Sequence, residues 1–396
     1  MVSKDMLDLG RHSSVIRDLH EHANLRKAQI GEDQVFDFTL GNPSVPTPTA
    51  VTEALQKLVA ETPPDKLHAY TAAPGDPQAR RAIARYIKDT YGLETPETYI
   101  YLTSGAAASL AISFNALTEP GDEILTFVPY FPEYRVYAEK AGAIFKEVQC
   151  EEGTFQLDKA ALEAAITPHT KAIILNSPNN PTGAVMNEKS ILALSEILEA
   201  KSAEYGRPIY LIADEPYREL VYGGTEVPYL PLYYRNTIVC YSFSKSLSLP
   251  GERIGYIFVS PRAEAADDVF DAVCGAGRAL GYICAPSLFQ QLISTCLGCS
   301  CDMTVYNENR TLLYDALTAY GFEAVYPDGA FYLFLKSPEP DANAFCRKAT
   351  DFELFMVPGD DFGCPGYVRI AYCVSTEQVK NSLPAFQKLA KSYLGE

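Results

Sequence analysis

From residue 49 to about residue 285, short apolar runs alternate with helix-length amphipathic segments, and no other feature narrows the possible folds so far. The runs are EILTF (123–127), AIFKEV (143–148), KAIILN (171–176), IYLIAD (209–214), TIVCYSF (237–243) and YIFVS (256–260). Short β-branched runs of this kind suit strands buried on both faces of a sheet. Around and between them, helices are predicted at 49–60, 77–90, 105–117, 132–141, 158–166, 188–205 and 262–273. Strands alternating with helices imply the α/β class, with a mostly parallel central sheet flanked by helices.

Beyond about residue 285 the texture changes. Helices predicted at 285–298 and 302–320 precede AFYLFL, LFMVP and YVRIAYC, and a last helix covers about 376–393, the pattern of a smaller α+β unit. At the other end, SSVIRDLHEHANLRKAQ (13–29) reads as an amphipathic helix opened by a Ser cap. FDFTLGNPSVPTP follows as a short strand broken by glycine and prolines, leaving 41–48 as an irregular loop. At 396 residues the chain exceeds one ordinary core. The division drawn is a large domain over 49–285 and a small domain formed by 1–48 with 286–396.

Composition closes several function classes. The net charge of −17 leaves no basic footprint for nucleic acid or an anionic membrane. No apolar run approaches the roughly 20 residues of a membrane span, and MVSKDMLDLGRHSSVIRDLHEH lacks the apolar stretch of a secretion signal. A cytoplasmic protein with ten reduced cysteines is the expectation. Cys296, Cys299 and Cys301 form a C-x-x-C-x-C run that could open a metal site. No fourth ligand stands near it, so the three read as structural thiols. His12, His20, His22, His68 and His169 show no ligand spacing, and no metal is expected.

Open α/β sheets bind ligands beyond the carboxyl ends of their strands, and polar residues gather there. KAIILNSPNNPTG ends a strand in a turn that holds Asn180 before Pro181, and alone this is a turn asparagine. IYLIADEPYREL ends on Asp214 and Glu215, with Tyr217 three residues beyond the aspartate. A carboxylate closing so apolar a strand costs solvation unless a partner is provided. TIVCYSFSKS delivers Lys245 among small hydroxyl residues, with Arg253 eight positions on; alone, that lysine is a solvated charge. IYLTSGAAASLAIS reads as strand, small-residue turn and helix start, a geometry that binds anions. GYVRIAY sets Arg369 on a strand with apolar neighbours, where a guanidinium needs an anion.

In this order the motifs resemble those of the class I and II aminotransferases, pyridoxal-phosphate enzymes of fold type I in the aspartate aminotransferase superfamily. The resemblance runs from LGNPSVP through YTAAPGDPQARRAIARY, NSPNNPTG, DEPY and SFSKSLSLPGERIGY to GYVRIAY. It implies a large domain that binds pyridoxal 5′-phosphate, and a smaller α+β domain. Lys245 then resembles the lysine that holds the cofactor as a Schiff base and afterwards carries a proton as base and acid. Asp214 resembles the aspartate that keeps the pyridine nitrogen protonated. Tyr217 and Asn180 resemble the pair on the ring's phenolic oxygen. The phosphate falls to Arg253, Ser242 and Ser244, with the backbone N–H groups of Ser104, Gly105 and Ala106; many relatives carry a hydroxyl near Ala106. Tyr70 is similar to the tyrosine that reaches the phosphate of a neighbouring subunit, which implies a homodimer with shared active sites. Tyr130 matches the aromatic stacked on the ring, and a core aromatic is its rival. Arg369 resembles the grip on the substrate α-carboxylate, assisted by Gly41, Asn42 and Asn180.

The implied activity is transfer of an amino group from an L-amino acid to a 2-oxo acid by a ping-pong cycle, of aspartate, aromatic or alanine type. Arg278 falls near the place of a second arginine that dicarboxylate-specific relatives take from the partner subunit, and an interface or solvated arginine is as good a reading. Pointing into the pocket it favours aspartate and glutamate; pointing away it leaves an aromatic or small neutral side chain. A C–S β-lyase on the same fold shares the Cα deprotonation, although NNPTG and DEPY lean toward transfer. A non-catalytic module fused to a DNA-binding domain is disfavoured by the −17 charge and by the presence of Lys245, Asp214, Arg253 and Arg369.

Overall fold

The apolar runs assemble into one sheet in the computed structural model, which describes residues 2–11 and 15–394. After a two-residue β1 (Phe36–Asp37) come β2 (Ile100–Thr103), β3 (Glu123–Val128), β4 (Ile144–Gln149), β5 (Thr170–Asn176), β6 (Tyr210–Asp214), β7 (Thr237–Ser242) and β8 (Gly255–Val259). The last seven form one sheet in the order β2-β8-β7-β6-β5-β3-β4. Pairing is parallel from β3 through β7, whereas β8 runs against both of its neighbours, β7 and β2. Thr103 and Ser242 both lie opposite Gly255. The carboxyl ends of β2, β3, β5, β6 and β7 therefore share an edge with the amino end of β8.

Burial follows position. Strands β2, β3, β6, β7 and β8 are buried along their whole length, as continuous apolar runs require. The charged run IFKEVQ forms β4 at the sheet edge, where Lys and Glu discourage pairing with another chain. Helix boundaries follow local chemistry too. In Pro77–Tyr91 the Asp76 carboxylate accepts from the backbone N–H of Gln78 (2.8 Å) and Ala79 (2.9 Å), Pro77 opens the first turn, and Gly92 closes the helix at φ 71.

The predicted helix at 262–273 instead runs Ala266–Leu280. Gly275 and Gly277 look like breakers in sequence. A Cβ on Gly277 would lie 2.4 Å from the Tyr101 hydroxyl, so this glycine serves close packing of the helix on β2.

In the C-terminal part, β9 (Glu323–Val325), β10 (Tyr332–Lys336), β12 (Val357–Pro358) and β13 (Tyr367–Ala371) form an antiparallel sheet in the order β12-β13-β10-β9. LFMVP thus splits at Met356, because β11 (Leu354–Phe355) pairs in parallel with β1 instead. This unit has its own core, with Phe331, Leu333, Val368, Ile370 and Phe386 among its buried side chains. The boundary drawn at residue 285 shifts, since helix Ser287–Cys296 packs on helices Thr49–Glu61 and Pro77–Tyr91 and gives Leu292, Ile293 and Cys296 to the large core.

Helix Val15–Ile30 is preceded by an unanticipated helix, Lys4–Arg11. The expected Ser cap at 13–14 and His12 lie outside the described residues. Helix Val15–Ile30 is tied to the C-terminal unit by Arg26, whose Nε donates to both oxygens of Glu353 (3.0 and 2.9 Å). Lys27 and His20 meet Asp37 at 3.1 and 2.8 Å. Its first turn places Ile16 and Arg17 beside the sheet edge described above.

Candidate active site

A cleft of about 310 Å³ opens where that sheet edge meets the C-terminal unit. Its walls include Gly41, Ala106, Asn180, Asp214, Tyr217, Ser242, Ser244, Lys245, Arg253 and Arg369, residues separated by up to 328 positions in sequence. Parallel strands deliver most of these at their carboxyl ends. Arg253 arrives from the opposite direction, just ahead of the antiparallel β8.

Lys245 is half-buried on a short helical turn after β7, and its Nζ donates to the Gly41 carbonyl at 2.6 Å. Burial lowers its pKa to about 8, with Arg253 and Arg369 pushing the same way. A neutral amine is therefore accessible near physiological pH. Gly41 cannot be replaced here without movement, since a Cβ would sit 2.0 Å from the Tyr332 hydroxyl.

Asp214 and Glu215 leave β6 toward opposite sides. Glu215 pairs with the buried Arg218, whose guanidinium lies between the rings of Tyr229 (4.8 Å) and Tyr241 (5.3 Å). Asp214 faces the cleft. One of its oxygens accepts from the Tyr134 hydroxyl, and the other, Oδ1, has no protein partner although it is buried. Burial lifts the Asp214 pKa to about 7 against the opposing Tyr134 hydrogen bond. Such an orphaned carboxylate oxygen calls for a cationic or N–H donor from a bound group.

Tyr217 is buried with its hydroxyl 3.0 Å from that of Tyr332. Asn180 is positioned by its backbone N–H, which donates to Asn176 Oδ1 at 2.7 Å. Its carboxamide oxygen accepts from Arg369 Nη1 at 3.0 Å. Arg369 is 2% exposed, donates also to the Thr39 carbonyl at 2.5 Å and stacks on Tyr332 and Phe362. No carboxylate pairs with it among the described residues, its Nε has no partner, and burial lowers its pKa. A buried guanidinium in that state is built for an incoming anion.

The third cluster surrounds the start of helix Ala106–Leu117. Gly105, at φ 89, lets the Arg253 guanidinium approach, because a Cβ there would lie 2.8 Å from Nη2. Ser242 and Ser244 face each other with hydroxyl oxygens 2.7 Å apart. The helix start at Ala106, two hydroxyls and a planar guanidinium together line the cleft and suit a phosphate.

Two expectations, for Tyr130 and Asn42, are not met within this chain, and those for Arg278 and Tyr70 concern a neighbouring subunit. Tyr130 does not line the cleft: its hydroxyl donates to Glu147 at 2.7 Å, Arg135 donates to it at 3.0 Å, and its ring packs on Phe145 and close over Gly363. The adjacent Phe131 lines the cleft in its stead. Asn42 is exposed, and its backbone N–H serves the Cys373 thiol. Arg278 is exposed in the last turn of helix Ala266–Leu280, outside the cleft. Tyr70 is 95% exposed on a loop that Cys284 and Gln290 hold through Thr71.

Reasoning from sequence missed Tyr134, Tyr332, Phe131, Glu133 and Arg17 at this site. Tyr134 and Phe131 follow Tyr130 in a segment rich in aromatics, where only the path of the turn decides which ring faces inward. Cys296 and Cys301 are buried and Cys299 is half-buried, and the Cys301 backbone N–H donates to the Ser246 carbonyl at 2.7 Å beside the lysine turn.

The orphaned Asp214 Oδ1, the unpaired Arg369 and the lysine of lowered pKa fit pyridoxal phosphate, an anionic aldehyde with a protonatable ring nitrogen. Known proteins agree. The chain matches the family model described as aminotransferase class I and II over residues 33–386. It is 31% identical over 368 residues to the aspartate/prephenate aminotransferase of Thermus thermophilus, covering 89% of this chain and 90% of that one. Its structure resembles an aminotransferase from Eubacterium rectale, at 51% identity, TM-score 0.98 and coverage of 100% and 99%. It resembles also the Thermus thermophilus aspartate aminotransferase solved with maleate, at 28% identity, TM-score 0.84 and coverage of 98% and 99%.

Proposed function

Because this chain belongs to the class I and II aminotransferases, and is with them a pyridoxal-phosphate-dependent enzyme, we propose that its cleft moves the amino group of an acidic L-amino acid to a 2-oxo acid by a ping-pong cycle. The observation that carries this reading is the pairing of two unmet buried charges across one cleft, Asp214 on one wall and Arg369 on the other. The cofactor, when bound, supplies an electron sink for the charge left at Cα. The protein supplies everything around it.

Asp214 would keep the ring nitrogen protonated through Oδ1, and Tyr134 braces its other oxygen. Tyr217 and Asn180 would hold the ring's phenolic oxygen. Arg253, Ser242, Ser244 and the N–H groups of Ser104, Gly105 and Ala106 would hold the phosphate, and Phe131, which lines the cleft where Tyr130 does not, would pack against the cofactor. Arg369 takes the α-carboxylate bidentately. Lys245, neutral once its proton is lost, takes the proton from Cα and delivers it on the far side of the transfer. The acidic donor is supported by the relatives named for aspartate and by the maleate solved with the Thermus protein.

The test is stoichiometric. Amino acid alone should release one equivalent of 2-oxo acid per site and stop, and a second 2-oxo acid should restart turnover. Continuous release of ammonia and pyruvate from cysteine conjugates without an acceptor would replace transfer by elimination.

A cytoplasmic homodimer completes the proposal. Tyr70 is exposed, and the contact of Cys284 with the Thr71 carbonyl brings its loop to the segment that exposes Leu280, Tyr282 and Ile283, apolar side chains of the kind that a second copy covers. Among the described residues no helix is long and apolar enough to cross a membrane. Replacing Tyr70 by alanine should weaken cofactor binding about 10-fold, the loss of one hydrogen bond to a charged group. Hybrids of Tyr70→Ala and Lys245→Ala subunits should regain one tight site per dimer, measured by cofactor titration. Unchanged affinity in the Tyr70→Ala protein would remove the shared-site assignment.

A further inference from the structure

Tyr332 has no part in the reading above, yet it touches three of the residues that do. It is 2% exposed on β10 and lines the cleft. In the antiparallel register Tyr332 lies opposite Ala371, so Arg369 is its diagonal neighbour on the same face of the sheet. The Arg369 guanidinium accordingly sits 4.7 Å from the centre of the Tyr332 ring. At the far end of that ring the hydroxyl reaches out of the C-terminal unit. It stands 3.0 Å from the hydroxyl of Tyr217, which follows β6 of the central sheet. The Gly41 backbone closes over the same oxygen, where a Cβ would lie 2.0 Å from it.

Two paired hydroxyls commit one proton to each other and leave the second free. Among the described residues neither Tyr217 nor Tyr332 gives its hydroxyl another partner. Burial raises both phenols, and Arg369 draws Tyr332 back to about 12, which makes it the better donor of the two.

The geometry points to Tyr332 as a positioning residue with two separable duties: its hydroxyl donates to Tyr217 and so turns the Tyr217 proton toward the cofactor, and its ring backs Arg369 for the substrate α-carboxylate. This rests on the aminotransferase reading, through which cofactor and carboxylate enter. Tyr332 acts through Tyr217 and Arg369 and not on the reacting atoms. One side chain thereby links the two binding sites across the join between the C-terminal unit and the central sheet. A hydroxyl contact of this kind is worth about 3- to 10-fold in affinity. An aromatic ring against a desolvated guanidinium is worth about 3- to 30-fold.

The experiment uses the full chain with Tyr332→Phe, Tyr332→Leu, Tyr217→Phe and the double variant Tyr217→Phe with Tyr332→Phe. Tyr332→Phe removes only the hydroxyl. Its cofactor-free form should bind pyridoxal phosphate about 3- to 10-fold more weakly. Once loaded, it should bind maleate, an unreactive carboxylate, as wild type does by calorimetry, with a lower kcat and an unchanged KM for amino acid. Tyr332→Leu should add a loss of maleate affinity of about 3- to 30-fold, matched by a rise in KM. In the Tyr217→Phe background, Tyr332→Phe should cost no further cofactor affinity, because contacting residues couple and independent ones add. Unchanged cofactor affinity in Tyr332→Phe overturns the proposal, and so does wild-type maleate binding in Tyr332→Leu. Additive losses in the double variant show Tyr332 acting without Tyr217, and the proposal falls. Should Tyr332→Leu not fold, Tyr332→Phe and the double variant still decide the proposal through the hydroxyl. A wild type that transfers no amino group would overturn the aminotransferase reading instead, and the two titrations, which need no turnover, would still decide the role of Tyr332.

Discussion

Lys245→Ala should abolish amino transfer, with kcat lowered by at least about 10⁴-fold, the upper range for removal of a positioned acid–base group. The reason is geometric. Among the described residues Lys245 is the amine that lines the cleft between Asp214 and Arg369, and its Nζ already meets the Gly41 carbonyl at 2.6 Å. Its pKa of about 8, lowered by burial, places neutral amine within reach at neutral pH. No neighbour can substitute. Tyr217 and Tyr332 are both held well above the usual phenol range or at about 12 by burial, so neither is a base under these conditions. The variant should still bind cofactor through the phosphate donors. Absorbance of cofactor covalently attached to the protein should be missing, and borohydride should leave no label. Residual turnover above about one per cent of wild type, a hundredfold short of the expected loss, would remove Lys245 from the centre of the mechanism.

Asp214→Asn should show an opposite pair of effects: loss of activity of about 10²- to 10⁴-fold, together with a more stable cofactor-free protein. Asparagine keeps the shape and can still accept from Tyr134, but it cannot hold a charge opposite the ring nitrogen. For stability the direction follows from the pKa, raised by burial from 3.8 to about 7 in the folded chain. Between those values the folded state keeps a proton that the unfolded chain has released. The contribution of Asp214 is therefore complete below about pH 4 and lost as the pH rises through about 7, an amount on the order of 4 kcal/mol. The asparagine variant escapes that loss. Its Tm without cofactor should match wild type at about pH 4, exceed it increasingly up to about pH 7 and keep that lead at pH 8. Cofactor should reverse the order, because only the aspartate gains a cationic partner. Equal Tm values at pH 8, or an asparagine variant that keeps its activity, would show that the orphaned oxygen is not the cofactor contact.

Much of the site was legible because its chemistry sits at strand ends. Lys245, Asp214, Asn180 and Arg369 each break an apolar run with a group that needs a partner, and such a break is visible in a single sequence. Tyr130 and Phe131 were not separable in this way. Both are aromatic, both follow Pro129, and the choice between them is made at the other end of the chain. The Tyr130 backbone N–H donates to the Phe362 carbonyl at 3.1 Å and its ring closes over Gly363, which turns the hydroxyl to Glu147 and leaves Phe131 facing the cleft. Arg17 was hidden for the same reason: in sequence it is one more charge on an amphipathic helix, and only the ties to Glu353 and Asp37 carry it to the cleft.

The alternation of apolar runs by itself determined an α/β sheet, because strand burial and helix capping depend on neighbours a few residues away. It determined also that the polar groups closing those strands would gather along one edge. Tertiary structure alone decided that β8 runs antiparallel and so brings Arg253 to that edge. It alone decided that helix Ser287–Cys296 joins the large core, and which charges are left unpaired in the cleft. Those outcomes depend on contacts between segments hundreds of residues apart, and a side chain's direction changes with a shift of one residue in register or turn.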